Sequence, residues 1–415
     1  MSDLVLFEDD GYIDLLPMAF WRTVFELRVG RKILLDQIAQ QVGRPVAGIW
    51  TRDWIAKVAE HRCGAPANRP VRAKTVLVNG RWLCHEPVVL PNEPCMGVVD
   101  GRPAYIVCDE DLAQTLKPFD MLDQERRDKA LSGLAKHPAP GRLVQYPWNL
   151  LTGLCETLRR EWQDGDATIE AELDARCAFD ATYQVHMGER AKVHRAAIVD
   201  ATNGPIYVSH DAEVGAYAVL EGPLYLGPGT KIHPHSWLHG GNAIGPVCKI
   251  GGEVLGCILH GYTNKQHNGF LGHAYVGSWV NIGAGTSNSD LKNTYGTVRV
   301  PLNGTEVDTG EMILGAIIGD HVKLGVNASI PTGGVLGFSA SIGAGVAMPK
   351  YVPSFGWVTA QGISRGKPDR LLDVAAKVMA RRNLDLTDDE VELFLDLGDR
   401  VGQYEAEVGR EGSRN

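Results

Sequence analysis

The sequence predicts an α/β domain over residues 1–185, an all-β left-handed parallel β-helix over 186–360, and a short α-helical tail over 361–415. Three observations predict this. Short apolar runs alternate with helical stretches in the first part. Aliphatic residues recur every six positions in the second. The chain holds 48 glycines in 415 residues, well above the usual share of about 7%, and most fall in that repeat.

In the first part, Leu4–Phe7, Thr75–Val78 and Ala104–Cys108 read as strands, being β-branched and aliphatic runs bounded by polar residues. Residues 31–42 and 149–163 read as helices, the latter carrying Leu150, Leu151, Leu154 and Leu158 at helical spacing. Pro66, Asn68 and Pro70 mark 63–72 as a loop.

In the second part, Val208, Val214, Leu220, Leu226, Ile232, Leu238, Ile244 and Ile250 are spaced by six. So are Ile318, Leu324, Ile330, Leu336, Ile342 and Met348, with the six-spaced pair Val276 and Ile282 between the two series. Neither a helix nor an alternating strand sustains a period of six. A hexapeptide repeat does: each unit is one short strand plus a turn, and three units close a triangular coil. The aliphatic residue points into the prism. Glycine directly follows ten of the sixteen, and is expected there to take a turn conformation that other residues resist. The repeat is expected to break at 251–275 and at 286–312, the second as a polar loop leaving the prism.

In the tail, Leu371, Val374, Ala375 and Val378 form one apolar stripe. Thr387-Asp388-Asp389-Glu390 is a capping box opening a second helix, which Gly398 is expected to close. The last residues, 409–415, are expected to fray.

Composition excludes several function classes. A net charge of −9 with no basic stripe argues against a nucleic-acid partner; anionic small molecules need only a few arginines and stay open. No run of 18 apolar residues occurs, and acids stand where a leader would carry Lys or Arg, so neither a membrane span nor a signal peptide is expected. The eight cysteines are scattered without a C-x-x-C pair, which reads as reduced thiols in a soluble cytoplasmic protein.

Several segments resemble a known family: NIGAGT at 281–286, GYTNKQHNGFLGHAYVGSWVNIGAGTSNSDLKNTYG at 261–296, LPMAFWRTVFELRVG at 16–30, VNGR at 78–81 and YPWNL at 146–150. The chain is similar along its length to GlmU-like bifunctional enzymes, and more closely to a divergent sugar nucleotidyltransferase branch. The resemblance implies a nucleotidyltransferase-like N-terminal domain and a homotrimer. It implies acetyl transfer from acetyl-CoA to a hexosamine-1-phosphate and nucleotidyl transfer from a nucleotide triphosphate, UTP first, with Mg²⁺.

Acetyl transfer to an amine needs a base, donors for the oxyanion and a groove for the pantetheine arm. The resemblance puts the base on His267, before Phe270-Leu271-Gly272, with Phe270 where the family usually has a sugar-contacting tyrosine. It puts Asn281 near the sugar and Ala284 beside the acetyl-CoA carbonyl. Lys265 reads as a phosphate contact, and Asn288, Asp290, Lys292 and Asn293 as residues that orient His267 or bind sugar hydroxyls. The rival reading for this cluster is a solvated loop held by Asx turns. His273 reads as a packed or loop histidine.

The family's G-x-G-T-R-M loop is missing after the first strand. Arg22, Arg28, Arg31 and Lys32, with Arg81 of VNGR, are the candidate phosphate contacts, or else the first four form a solvated helix face. Asn79 stands where the first metal ligand of the superfamily falls, and Asn149 resembles the second, a weak pair for a hard cation. Three alternatives stay open: a nucleotidyltransferase with a purely structural β-helix, a non-catalytic nucleotide-sugar-binding scaffold, and a metalloprotein using His233, His235 and His239.

Overall fold

The structure, a computed structural model, describes residues 3–405, so the end expected to fray lies outside it. Two compact units are present. One comprises Met1–Leu27, Lys32–Tyr146 and Thr387–Asp396; the other comprises Arg28–Arg31, Pro147–Leu386 and Leu397–Asn415.

The first unit is built on a six-stranded mixed sheet in the order Val46–Trp50, Leu4–Phe7, Val76–Asn79, Arg102–Val107, Cys95–Val99, Lys136–Pro138. The first three strands are parallel, and Arg102–Val107 runs antiparallel to both its neighbours. Leu4–Phe7 is buried along its whole length, as an unbroken apolar run in a central parallel strand requires. The helix expected at 31–42 runs Leu34–Val42 and ends at Gly43, φ +66°. The one expected at 149–163 is two, Trp148–Thr152 and Leu154–Arg160, parted at Gly153.

The second unit is a triangular parallel β-helix. One face carries nine strands and another eleven, the last antiparallel. The third carries six and is extended by Ser287–Asn288 paired with Ser329–Ile330. All sixteen six-spaced aliphatic residues lie in one core cluster, none more than 6% exposed. The prism begins earlier than residue 186: Glu172–Leu173 and Ala178–Asp180 already pair with Lys192–Val193 and Ile198–Asp200. Leu173 stays 38% exposed on this end coil, which weakens the pattern there.

The glycines of the repeat serve close stacking, not turn conformation. None of the ten that follow an aliphatic residue has a positive φ. A Cβ would lie 2.6 Å from the Pro234 nitrogen at Gly215, 2.7 Å from the Gly245 carbonyl carbon at Gly227 and 2.6 Å from the Ala344 nitrogen at Gly325. The left-handed corner residues are often large instead: Tyr217, His235, Val247, Tyr262, Trp279 and His321.

The repeat does not break at 251–275. Glu253–Leu255, Ile258–Gly261, Asn264–Lys265 and Phe270–Gly272 all pair with the coil before them. Steps of four and five replace some steps of six, and one inward slot holds a lysine. The 286–312 segment leaves the prism only after Asn288. It forms a hairpin, Arg299–Leu302 with Thr305–Asp308, and buries Val298 and Val300 against Gly333.

In the tail, the helix Pro368–Ala380 buries Leu371, Ala375 and Met379, while Val374 is 40% exposed. The capping box is present, with Glu390 N–H donating to Thr387 Oγ1 at 3.2 Å. The helix it opens runs on to Arg400, through Gly398. Gly398 is a contact point: a Cβ would lie 2.6 Å from Pro368 Cγ. All eight cysteines are free thiols, and no helix among the described residues is long and apolar enough to cross a membrane.

Candidate active site

Asn264–Lys265 and Asn281–Ile282 pair in register, Asn264 opposite Asn281. The corner after each strand therefore stacks residue on residue, and His267 lies one rung, about 4.8 Å, before Ala284. Gly285 N–H donates to the Asn268 carbonyl at 3.1 Å, which ties the two corners together. His267 is exposed, and its imidazole contacts Gln266 Nε2 at 3.3 Å. Asn281 is half-buried on the face leading to this corner.

Lys265 is not outside the prism. It occupies the inward slot opposite Ile250, 1% exposed, and its Nζ donates to the carbonyls of Gly251 and His267, both at 2.7 Å. It clamps the backbone of His267 and has no access to a sugar phosphate. Burial pushes its ammonium down to about 8, against an unfolded value of about 10.4. Between those values the unfolded chain binds more protons, so stability rises with pH; below about 8 the folded state carries the full penalty. Lys265→Met is expected to abolish that rise. Its stability relative to the parent should fall by about 3 kcal/mol as pH goes from 8 to 10.5, read by urea denaturation at each pH. A flat difference across the window would refute it.

Four other residues meet beside the adjoining face. Asn288 fills an inward slot: its Oδ1 accepts from Gly272 N–H and its Nδ2 donates to Gly272 O, both at 2.8 Å. That use of both amide atoms makes it a strand-pairing substitute and leaves it 4% exposed. Asp290 pairs with His273 Nδ1 at 2.8 Å, not with His267. The Phe270 ring lies against Gly272, where the Asp290 carboxylate also approaches. Lys292 Nζ donates to Thr297 O at 2.8 Å within the excursion, and Asn293 is exposed there. The His273–Asp290 pair is not legible in the sequence because the two residues lie 17 positions apart and meet only through coil stacking.

In the first unit, the carboxyl ends of the parallel strands, where α/β sheets place their ligands, are closed by ion pairs. Arg81 forks onto Asp9, Nε to Oδ1 at 2.7 Å and NH2 to Oδ2 at 2.6 Å, and its NH1 donates to Val144 O at 2.7 Å. Asn79 donates to Asp9 at 2.9 Å and accepts from Arg81 N–H at 3.0 Å. Burial would raise the Asp9 carboxyl, but the Arg81 charge and hydrogen bonds outweigh it and hold it below its usual range. Beside it, Arg52 grips Glu8 at 2.9 and 3.0 Å and donates to the carbonyls of Ala19 and Arg22. The cavity beside Arg81 and Arg102 holds about 140 Å³, less than the roughly 300 Å³ at the small end of ligand pockets.

Of the predicted phosphate contacts, Arg22, Lys32 and Arg81 belong to the first unit and Arg28 and Arg31 to the second. Arg22 is buried, and Lys32 Nζ donates to Gln40 Oε1. In the second unit Arg28 donates to the carbonyls of Gly30 and Arg31 at 3.2 and 2.8 Å. Arg31 stacks 3.7 Å over Tyr207 and pairs with Asp166 at 2.9 Å. The residues fit Mg²⁺ poorly, because both amide atoms of Asn79 are engaged and neutral amides are weak ligands for a hard cation. Among the described residues no group of three His, Cys, Asp or Glu side chains could hold a metal. His235 stacks on Tyr217, and His239 bridges Glu221 and Glu253, so His233, His235 and His239 do not converge.

Residues 4–164 match the family described as sugar nucleotidyl transferase. The N-terminal domain is nucleotidyltransferase-like. A bifunctional sugar-1-phosphate nucleotidylyltransferase/acetyltransferase of Sulfurisphaera tokodaii is 32% identical over 106 residues, 25% of this chain and 26% of that protein. The bifunctional protein GlmU of Methanococcus vannielii is 31% identical over 100 residues, 24% of each. The matches thus span about a quarter of these relatives' length. Among solved structures, a hexapeptide transferase family protein from Anaplasma phagocytophilum is 11% identical, with a TM-score of 0.22 over 57% of this chain and 92% of its own. Residues 4–164 carry this match while Arg81 and Asn79 engage Asp9 at the strand ends.

Proposed function

We propose that the chain is a transferase of sugar-1-phosphate chemistry that moves an acetyl group from acetyl-CoA to a hexosamine-1-phosphate on its β-helix. One observation carries this: an exposed His267 stacked beside the Ala284 backbone, its own backbone pinned by Lys265. His267 accepts the proton of the attacking amine, and the Ala284 N–H meets the oxyanion. Asn281 and Phe270 flank the acceptor, and Asp290 acts through His273. The acetyltransferase named in the Sulfurisphaera relative supports the reading. A cytoplasmic homotrimer completes it, with the 286–312 excursion reaching the adjacent subunit.

A second reading, nucleotidyl transfer from UTP by residues 4–164, is favoured by the family match. It requires Arg81 to release Asp9, or the phosphates to bind elsewhere. The test is thiol release from acetyl-CoA with a panel of hexosamine-1-phosphates, beside pyrophosphate release from UTP and Mg²⁺. Thiol release dependent on one sugar is expected. Pyrophosphate release alone would make the β-helix structural, and neither product would leave a binding scaffold.

A further inference from the structure

A groove of about 610 Å³ runs along the β-helix on the amino-terminal side of His267, from Asp174 to Lys249. It crosses the paired strands at 172–173, 192–193, 213–214, 231–232 and 249–250, four rungs or about 19 Å. In a chain of net charge −9, its upper end is cationic. Lys231 and Lys249 stand opposite each other on adjacent strands, a like-charge pairing that costs stability. Lys231 has Glu213 at 2.7 Å, but among the described residues Lys249 has no carboxylate partner. Next to them His233 lines the groove, and its buried Nε2 has no hydrogen-bond partner. Three rungs lower, Arg195 is exposed and makes no ion pair among the described residues.

Charge accounts for what geometry suggests. Burial lowers the Lys249 ammonium, and Arg382, Lys231 and Arg381 lower it further. His233 is lowered by burial, then by Lys249 and His267. Both groups therefore stand in a positive field, which Glu213 offsets only in part at His233. At the lower end Asp174 is held by Arg176 at 2.7 Å. Glu213 is likewise engaged, by His194 at 3.0 Å and Lys231 at 2.7 Å.

We propose that this groove is a nucleotide-binding site, with a phosphate seated between Lys249 and His233 and the rest of the ligand lying toward Arg195. Its volume and length suit a nucleoside bisphosphate or diphosphate and exceed a sugar phosphate. Two sources share this chemistry: the adenosine 3′,5′-bisphosphate head of a coenzyme A thioester, and a nucleoside diphosphate from a nucleotide sugar. The proposal does not rest on acyl transfer, because binding is read without turnover.

The test is isothermal titration of the full chain with adenosine 3′,5′-bisphosphate and, separately, uridine diphosphate. The parent, Lys249→Gln, Arg195→Ala and His267→Ala are compared, each checked by circular dichroism. Lys249→Gln is expected to weaken one of the two ligands at least tenfold, Arg195→Ala to weaken the same one, and His267→Ala to leave it unchanged. The ligand affected names the source. Failure of both to bind the parent, or equal binding by Lys249→Gln, would overturn the site. Loss of acyl transfer with titration intact would overturn only the catalytic reading.

Discussion

Replacing His267 by alanine is expected to lower sugar-dependent thiol release by about 10²–10⁴-fold, the usual contribution of a positioned general base. The fold should be untouched. The imidazole is exposed, and what holds this corner is backbone: Lys265 Nζ to His267 O, and Gly285 N–H to Asn268 O. The loss should fall on kcat, because an amine must be deprotonated after it binds. His273→Ala belongs in the same experiment. His273 has the feature that His267 lacks, a carboxylate on Nδ1 at 2.8 Å, which is how orienting groups fix the tautomer of a catalytic histidine. Full activity in His267→Ala and none in His273→Ala would move the base to the dyad. A modest change in His273→Ala, through the Phe270 and Gly272 backbone, is the expected result.

The second large effect is on stability. Arg81→Ala should cost about 3–5 kcal/mol, because it strands a buried carboxylate. Asp9 is fully buried, and among its contacts only Arg81 supplies a fork that matches both its oxygens. Arg81→Lys should recover little, since one ammonium cannot make two parallel bonds. The double change Asp9→Leu with Arg81→Met removes both charges and should cost far less than Arg81→Ala alone. Urea midpoints of the three variants check this. A loss under about 1 kcal/mol in Arg81→Ala would show that water reaches Asp9, and would reopen these strand ends to phosphates. Acid should weaken the parent too: the carboxyl is held below its unfolded value, so its stabilisation is present above about pH 4 and lost as pH falls further.

The β-helix was legible because its inward slots repeat at a fixed period and accept only aliphatic residues in most coils. It became illegible where that chemistry changed. Lys265 and Asn288 fill inward slots yet read as exposed loop residues, because a polar side chain announces burial only when its partners are known. Met187, Val193 and Val199 keep the period but are cut off by a nine-residue step to Val208. In the N-terminal domain the three strands were read from local composition. The ion pairs at their ends were not, since Asp9 and Arg81 are 72 residues apart and meet only through the parallel pairing of Leu4–Phe7 with Val76–Asn79.

The sequence by itself determined the solenoid, its sixteen core positions, the capping box at Thr387 and the three strands around Leu4, Val76 and Ala104. Each is a local or strictly periodic pattern, and periodicity needs no knowledge of what lies across the fold. Only the tertiary structure decided which charged groups face outward. Stacking of coils turned Lys265 inward, set His267 beside Ala284 and gave Asp290 to His273. Sheet pairing spent Arg81 and Asn79 on Asp9. A charge shows the same letter in a sequence whether it is solvated, paired or buried, and the difference is made by neighbours brought together from distant positions.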